Sequence, residues 1–367
     1  MNDSPIHNLE NYQNQLDIKV QNFRQAFKDA SLEVSDISVY DSEPLGFRMR
    51  AEFRIWHQDG TAHYAMNKPG EKRPYTIDSF PIGSAHINHL MPPILEAINA
   101  SDALSRKLFS IELLTTLSNE ALVTLIYHRQ LDSQWQIEAR KLQSALNIRI
   151  IGRSRKQKVV LDKDYVTEKL TIDNKEYRYQ QVETGFTQPN AKVNCKMLSW
   201  ASQCLINKQG DLIELYCGNG NFTVILAEHF DRVLATEISK ISVNSALENF
   251  KQNQVDNVIV ARLSSEELTQ ALNKEREFRR LADVDLDSYS FSTIFVDPPR
   301  AGLDSGTEKL VTEFDNILYI SCNPDSLIKN LKTITQTHKI QKVALFDQFP
   351  WTEHIESRVY LERIKEL

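Results

Sequence analysis

The sequence predicts a mixed α/β protein in two parts: an α+β region over residues 1–182 and a Rossmann-like α/β domain over residues 183–367. Three observations carry that expectation. Phe47–His57 alternates strictly between apolar and polar residues, as a half-buried strand does. Beyond residue 180, short apolar runs alternate with helix-prone segments, the rhythm of a parallel sheet with crossovers. A Gly-Asn-Gly turn at 218–220 follows the first of those runs. A length of 367 residues suits two domains.

Residues 8–30 read as a helix with mostly polar faces, lying on the surface. In the strand that follows, Phe47, Met49, Ala51, Phe53 and Ile55 point one way, and Arg48, Arg50, Glu52, Arg54 and Trp56 the other. Asp59-Gly60 ends it as the first arm of a hairpin. Helices are expected over 88–99 and 132–146 and a buried strand over Ala121–Tyr127, giving this region an antiparallel sheet. In the second region the expected strands are Leu212–Leu215, Val233–Thr236, Val258–Val260, Thr293–Val296, Ile317–Ile320, Val343–Phe346 and Val359–Leu361. Residues 262–291 form a charged, helix-prone excursion before the fourth of them. No repeat, low-complexity segment or Pro/Gly-rich linker is present.

With 41% hydrophobic and 25% charged residues, the composition is that of a globular protein. No apolar run reaches the roughly 18 residues of a membrane span. Met1-Asn2-Asp3-Ser4-Pro5 lacks the layout of a secretion signal. The four cysteines, Cys195, Cys204, Cys217 and Cys322, show neither a CxxC pair nor zinc-like spacing. A cytoplasmic protein without a bound metal is expected. The formal net charge is −6, but residues 1–180 balance to zero. Within them, Arg149–Lys158 holds five cations and no acid. Phosphate binding follows local cation density rather than net charge. Arg48, Arg50, Arg54, Arg153, Arg155, Lys156 and Lys158 are therefore candidate phosphate contacts, with Trp56 a candidate stacking surface for a base.

The chemistry gathers in the second region. Glu214–Phe222 closes a strand and opens a helix, and Gly218 and Gly220 permit positive φ and close approach of a ligand. Glu237 ends the next strand, where a carboxylate can accept from ribose hydroxyls. Thr223 replaces the third glycine of the dinucleotide fingerprint, which favours S-adenosylmethionine over a nicotinamide dinucleotide. Asp297-Pro298-Pro299-Arg300 must turn rigidly at a strand end, because two prolines cannot continue a ladder. In methyltransferases that act on amino groups the similar tetrad ends in an aromatic residue, and here Arg300 stands in its place. Cys322 sits between a strand and a helix start, where the helix terminus is expected to lower a thiol's pKa. Near the end, Glu353, His354 and Glu356 are all candidates for a general base.

Phe186-Thr187-Gln188-Pro189-Asn190, the Glu214–Phe222 loop, Asp297–Arg300, Ser321–Pro324 and Asp347–Pro350 followed by Glu356 together resemble the RNA uracil-5-methyltransferase family. The similarity spans almost the whole chain. It implies methyl transfer from S-adenosylmethionine to carbon 5 of a uridine, with Cys322 as the nucleophile and Glu356 as the proton acceptor, and an N-terminal domain that grips RNA. Gln188, Tyr216, Gly218, Asn221, Glu237 and Asp297 would contact the cofactor. The family's ribosomal-RNA members carry an oligonucleotide-binding barrel and a four-cysteine iron–sulfur site, and this chain has neither. That absence favours tRNA over ribosomal RNA; the resemblance implies the T-arm of tRNA, or a tRNA-like RNA, as the partner, and a monomeric enzyme is expected. Two rival expectations are amino-group methylation, with Cys322 structural, and an RNA-folding protein whose methyl transfer is secondary.

Overall fold

The computed structural model of the chain describes residues 9–34, 36–67, 70 and 73–365. The Met1–Pro5 segment and residue 8 of the expected first helix lie outside these. Two compact units make up the chain: Met1–Pro44, Thr171–Tyr179 and Lys192–Leu367 form the first, Leu45–Leu170 and Gln180–Ala191 the second. Residues 9–34 and 36–44, expected with the N-terminal region, thus belong to the unit that holds the C-terminal one.

An eight-stranded sheet organises the first unit. Its order is Ile37–Tyr40, His338–Phe346, Glu356–Arg363, Asn316–Ser321, Phe291–Val296, Asp211–Leu215, Val233–Thr236 and Val258–Ala261. All neighbours pair in parallel except Glu356–Arg363, which runs antiparallel to both of its own. The seven strands expected here are present, some longer than expected. Ile37–Tyr40 was not foreseen, being four residues with only Ile37 buried. The central strand Asp211–Leu215 is buried throughout, as both-face-covered parallel strands are. From it the chain winds out to Val258–Ala261 and returns to Phe291–Val296 on the other side. The crevice beyond Leu215 and Val296 is therefore the switch point where open α/β sheets bind ligands.

Helix Leu9–Asp29 corrects the expectation of a polar surface helix. Tyr12, Leu16, Phe23 and Phe27 join the core of this unit, and Lys19 is buried in the same stripe. Lys19 breaks the apolar pattern to the eye. It is accommodated because its Nζ donates to Asp347 Oδ1 at 2.8 Å and to the Phe349 carbonyl at 3.1 Å.

The second unit holds a seven-stranded sheet in the order Tyr75–Thr76, Thr61–Met66, Arg50–Gln58, Leu108–Thr115, Ala121–Tyr127, Arg149–Ser154 and Gln157–Val160. Its pairs are antiparallel apart from Ala121–Tyr127 with Arg149–Ser154, which helix Ser133–Leu146 connects in parallel. The sheet is thus mixed rather than wholly antiparallel. The expected hairpin closes at Asp59 (φ 52°) and Gly60 (φ 78°), the pair of positive φ values of a tight two-residue turn. Phe53 and Ile55 pack under Ile87, Met91 and Ile94 of helix Ala85–Asn99. Among the described residues no helix is long and apolar enough to cross a membrane, and no group of three His, Cys, Asp or Glu is placed to hold a metal.

Candidate active site

The turn after Leu215 is built from three positive-φ residues: Tyr216 (φ 63°), Gly218 (φ 57°) and Gly220 (φ 77°). The two glycines serve different ends. A Cβ on Gly218 would meet nothing within 4 Å, leaving open space over the backbone, whereas one on Gly220 would stand 2.7 Å from the Phe250 ring. Gly220 thus allows close packing against helix Lys240–Gln252, and Gly218 leaves room for a ligand. Glu237 Oε2 accepts from the Gly218 N–H at 3.1 Å and Oε1 from the Ser239 N–H at 2.7 Å, fixing the carboxylate at the end of its strand. Tyr216 donates to Ser265 Oγ at 2.8 Å. Asn221 is paired through its amide with Asn194, in both directions at 3.0 Å. Asn194 is buried and lies on a helix, Ala191–Leu205, for which no periodicity had been noted.

Asp297, Cys322 and Glu356 meet at the same edge of this sheet. Asp297 follows Val296, and Cys322 follows Ser321. Because Glu356–Arg363 is antiparallel, it begins where its neighbours end; Ser357 pairs with Ser321, so Glu356 lies one step further, level with Cys322. Asn323 ties the two turns together, its Nδ2 donating to the Arg300 carbonyl at 3.0 Å. Of the three candidate bases, Glu353 and His354 are exposed and Glu356 is buried. His354 instead lies 3.1 Å from Arg300 Nη2 at the surface.

Burial sets the electrostatics. Loss of water pushes the Glu356 carboxyl up to about 7, with Asp297 adding to the rise and Arg358 and Arg300 opposing it. Asp297 rises to about 6 by burial, against the pull of Arg358. Behind them, Glu214 rises to about 8 because it is buried. The Cys322 thiol corrects an expectation: it is pushed up, by burial and then by Glu356 and Asp297, with Arg300 pulling the other way. Helix Pro324–Ile334 does begin beside it, with Asn323 as its cap. Two neighbouring carboxyls and lost solvation outweigh a helix terminus, which acts over little more than one turn.

The candidate RNA contacts belong to the second unit. Arg54 is exposed, its guanidinium 5.6 Å over the Phe109 ring. Trp56 is partly exposed in the same strand. Arg155 and Lys156 are exposed at the turn between Arg149–Ser154 and Gln157–Val160. The other cations are engaged within the unit. Arg153 forks onto the Glu183 carboxylate, and Lys158 Nζ lies 2.8 Å from Asp164 and 3.1 Å from Glu183. Arg50 donates to the Gly185 and Glu183 carbonyls, and Arg48 Nε to the Arg50 carbonyl. Gln188 lies in this unit too, partly exposed between Gly185 and Asn190.

The family model described as tRNA (Uracil-5-)-methyltransferase matches residues 11–364. A tRNA/tmRNA (uracil-C(5))-methyltransferase of Cellvibrio japonicus is 56% identical over 352 residues, 96% of each chain. The like-named protein of Teredinibacter turnerae is 57% identical over 357 residues, 96% of this chain and 98% of its own. Among solved structures, the Pyrococcus abyssi tRNA (uracil-54, C5)-methyltransferase in complex with S-adenosyl-L-homocysteine superposes with a TM-score of 0.70 at 20% identity. That match covers 95% of this chain and 83% of the other, and it shows the fold.

Proposed function

The chain belongs to the tRNA (uracil-5-)-methyltransferase family and is an S-adenosylmethionine-dependent enzyme; on that premise we propose that it methylates carbon 5 of a uridine in the T-loop of tRNA, with Cys322 as covalent nucleophile and Glu356 as base. The observation that carries this reading is the antiparallel last strand, which brings Glu356 level with Cys322 at the ligand-binding edge of the sheet. The residues fit the cofactor: there is open space over Gly218, and the Glu237 carboxylate stands where ribose hydroxyls can donate. When bound, S-adenosylmethionine supplies an electrophilic methyl group on a sulfonium.

Carbon 5 of uracil is a weak nucleophile. Addition of the Cys322 thiolate to carbon 6 forms an S–C6 bond and moves the C5=C6 electron pair toward O4, and the resulting enolate is nucleophilic at carbon 5. After carbon 5 takes the methyl group, the Glu356 carboxylate accepts its proton. The C–H electron pair restores the double bond, the S–C6 bond breaks, and its pair returns to sulfur. A carboxyl at about 7 is matched to accepting a proton near neutrality. Because burial, Glu356 and Asp297 raise the Cys322 thiol, its proton must pass to a neighbouring carboxylate or to water as sulfur adds to carbon 6. The uridine must leave its stack to reach Cys322. Arg54, Arg155 and Lys156, all exposed, are assigned to phosphate contact, and Trp56 is the surface for a base. The relatives' names include tmRNA, so a tRNA-like RNA is a second substrate to test.

The test is nucleoside mass spectrometry of an unmodified tRNA transcript after incubation with S-adenosylmethionine and either the parent protein or Cys322→Ala. 5-Methyluridine with the parent, lost in the variant, is expected. A methylated base amine, or product from Cys322→Ala, would overturn the covalent mechanism.

A further inference from the structure

Arg358 is fully buried two residues beyond Glu356 on the last strand, so both side chains leave the same face of the sheet. Its guanidinium lies 4.7 Å over the Phe222 ring and 4.8 Å over the Phe346 ring. Nη1 donates to the Met197 carbonyl at 2.7 Å, while Nε and Nη2 are buried with no hydrogen-bond partner. Phe222 closes the cofactor loop and packs 5.2 Å from Phe295, two residues before Asp297. Phe346, on the other side, stacks on Tyr40. Arg358 is thus the centre of a column that joins the cofactor loop, the strand of Asp297 and the strand of Glu356.

A desolvated guanidinium with two unanswered donor nitrogens costs stability, and apolar residues of similar volume often replace buried charges without loss. Packing alone does not call for a cation at this place. The groups around it do. Asp297 and Glu356 are both within its electrostatic reach. Glu356 itself faces Asp297, Arg300 and Arg358, and lies beside Cys322. Of the two cations, Arg300 is exposed and screened by water, so Arg358 is the one held in low dielectric.

We propose that Arg358 is a positioning residue for the methyl transfer: it supplies the buried counter-charge for the Glu356 and Asp297 carboxylates and, wedged between Phe222 and Phe346, ties the cofactor loop to the strand of the base. The catalytic part of this rests on Glu356 being the base; the electrostatic part does not.

The test uses the full chain labelled with 13C at the glutamate carboxyl carbon. The Glu356 signal is assigned by its absence in Glu356→Gln, and its pH midpoint is measured in the parent, Arg358→Met, Arg358→Gln and Arg358→Lys. The two uncharged variants differ in polarity, so that one can report if the other does not fold. Removing the cation should raise the midpoint by about one pH unit, and lysine should restore it. The turnover number of the uncharged variants should fall about five- to tenfold at pH 7 and recover toward pH 9, whereas a merely structural defect lowers it at every pH. Phe222→Leu, which keeps the charge, should raise KM for S-adenosylmethionine and leave the midpoint in place. An unchanged midpoint in the uncharged variants overturns the proposal. If Glu356→Gln still methylates RNA, the base assignment falls, while the midpoints still decide the role of Arg358.

Discussion

Glu183 and Glu356 are both buried glutamates, at 4% and 8% exposure, yet they titrate in opposite directions. Burial pushes the Glu183 carboxyl up, but hydrogen bonds and charge from Arg153 and Lys158 more than offset it, and its pKa lies below the ordinary value. Glu356 has one buried cation nearby, an unfavourable Asp297, and a pKa of about 7. Glu168 is a third case, with the Glu120 charge adding to the effect of burial. It is buried and accepts from backbone N–H groups of Leu117 and Lys169, yet it still rises to about 7. Backbone donors do not rescue a buried carboxylate here, and a forked arginine does. Within the second unit Glu183 is answered by close cations and Glu168 is not; in the first, Glu356 and Asp297 at the sheet edge are short of them, as suits a base working near neutrality.

The largest effect follows from taking the under-compensated acid away. Glu356→Gln should lower turnover by about 10²–10⁴-fold, the range for a lost general base. Because the carbon-5 proton would then stay in place, an RNA–protein adduct through Cys322 should accumulate and show on a denaturing gel. Near-parental turnover without adduct would move the base elsewhere. Stability should respond in the opposite sense. The native carboxyl at about 7 lies above its ordinary value near 4.5, so the native state holds a proton that the unfolded chain has lost. Stability therefore falls as pH rises between those values. Glu356→Gln should match the parent near pH 4 and exceed it by on the order of 2–3 kcal/mol at pH 8 in denaturant titrations. A gain that does not depend on pH would mean that the carboxyl is not held neutral.

The compensated acid should behave in reverse. Arg153→Met leaves Glu183 buried with half its cations. Breaking a buried pair costs roughly 3–5 kcal/mol, but Arg153 is a third exposed and Lys158 remains. A loss of about 1–2 kcal/mol at pH 7 is expected. Here the native pKa is depressed, so the contribution of the pair is present above the ordinary carboxylate range and is lost as pH falls through it. Glu183→Gln should cost less than Arg153→Met, because two partly exposed cations find water. The reverse order in chemical denaturation would break the comparison.

How much of this was legible in the sequence depended on whether a signal is local. Asp211–Leu215 and Val233–Thr236 announce themselves as short buried runs, and Gly218-Asn219-Gly220 as a turn that needs positive φ. Arg50 to Ile55 shows its two faces by alternation. Pairing across long separations leaves no such trace. Nothing in Ile37–Tyr40 indicates that it joins the edge of a sheet whose next strand begins at His338. Lys19 hid the apolar stripe of the first helix because its partner, Asp347, is 328 residues away. Among the site residues, the place of Cys322 between strand and helix was readable, but the direction of its pKa was not. That direction depends on Asp297 and Glu356, which only the fold brings near. Arg358 lies just outside the run Val359–Leu361 expected as a strand, and its burial follows only from the fold. The five cations of Arg149–Lys158 looked alike in sequence. The fold separates them, giving Arg149 to Glu120 and Arg153 and Lys158 to Glu183.

That separation yields the smallest expected effect and the most discriminating one. A cation already neutralised by a carboxylate releases few counterions when RNA arrives, whereas an exposed one releases about one. Arg155→Ala with Lys156→Ala should weaken tRNA binding several-fold and lower the slope of log affinity against log salt by about 1–2. Both residues are exposed at a turn, so stability should stay within about 0.5 kcal/mol of the parent. Arg153→Met should show the opposite pattern, with reduced stability and a nearly unchanged salt slope. If Arg153→Met flattens the slope as much as the double alanine does, Arg153 leaves Glu183 for phosphate on binding. The ion pair would then be a resting place for an RNA contact rather than a fixed part of the fold.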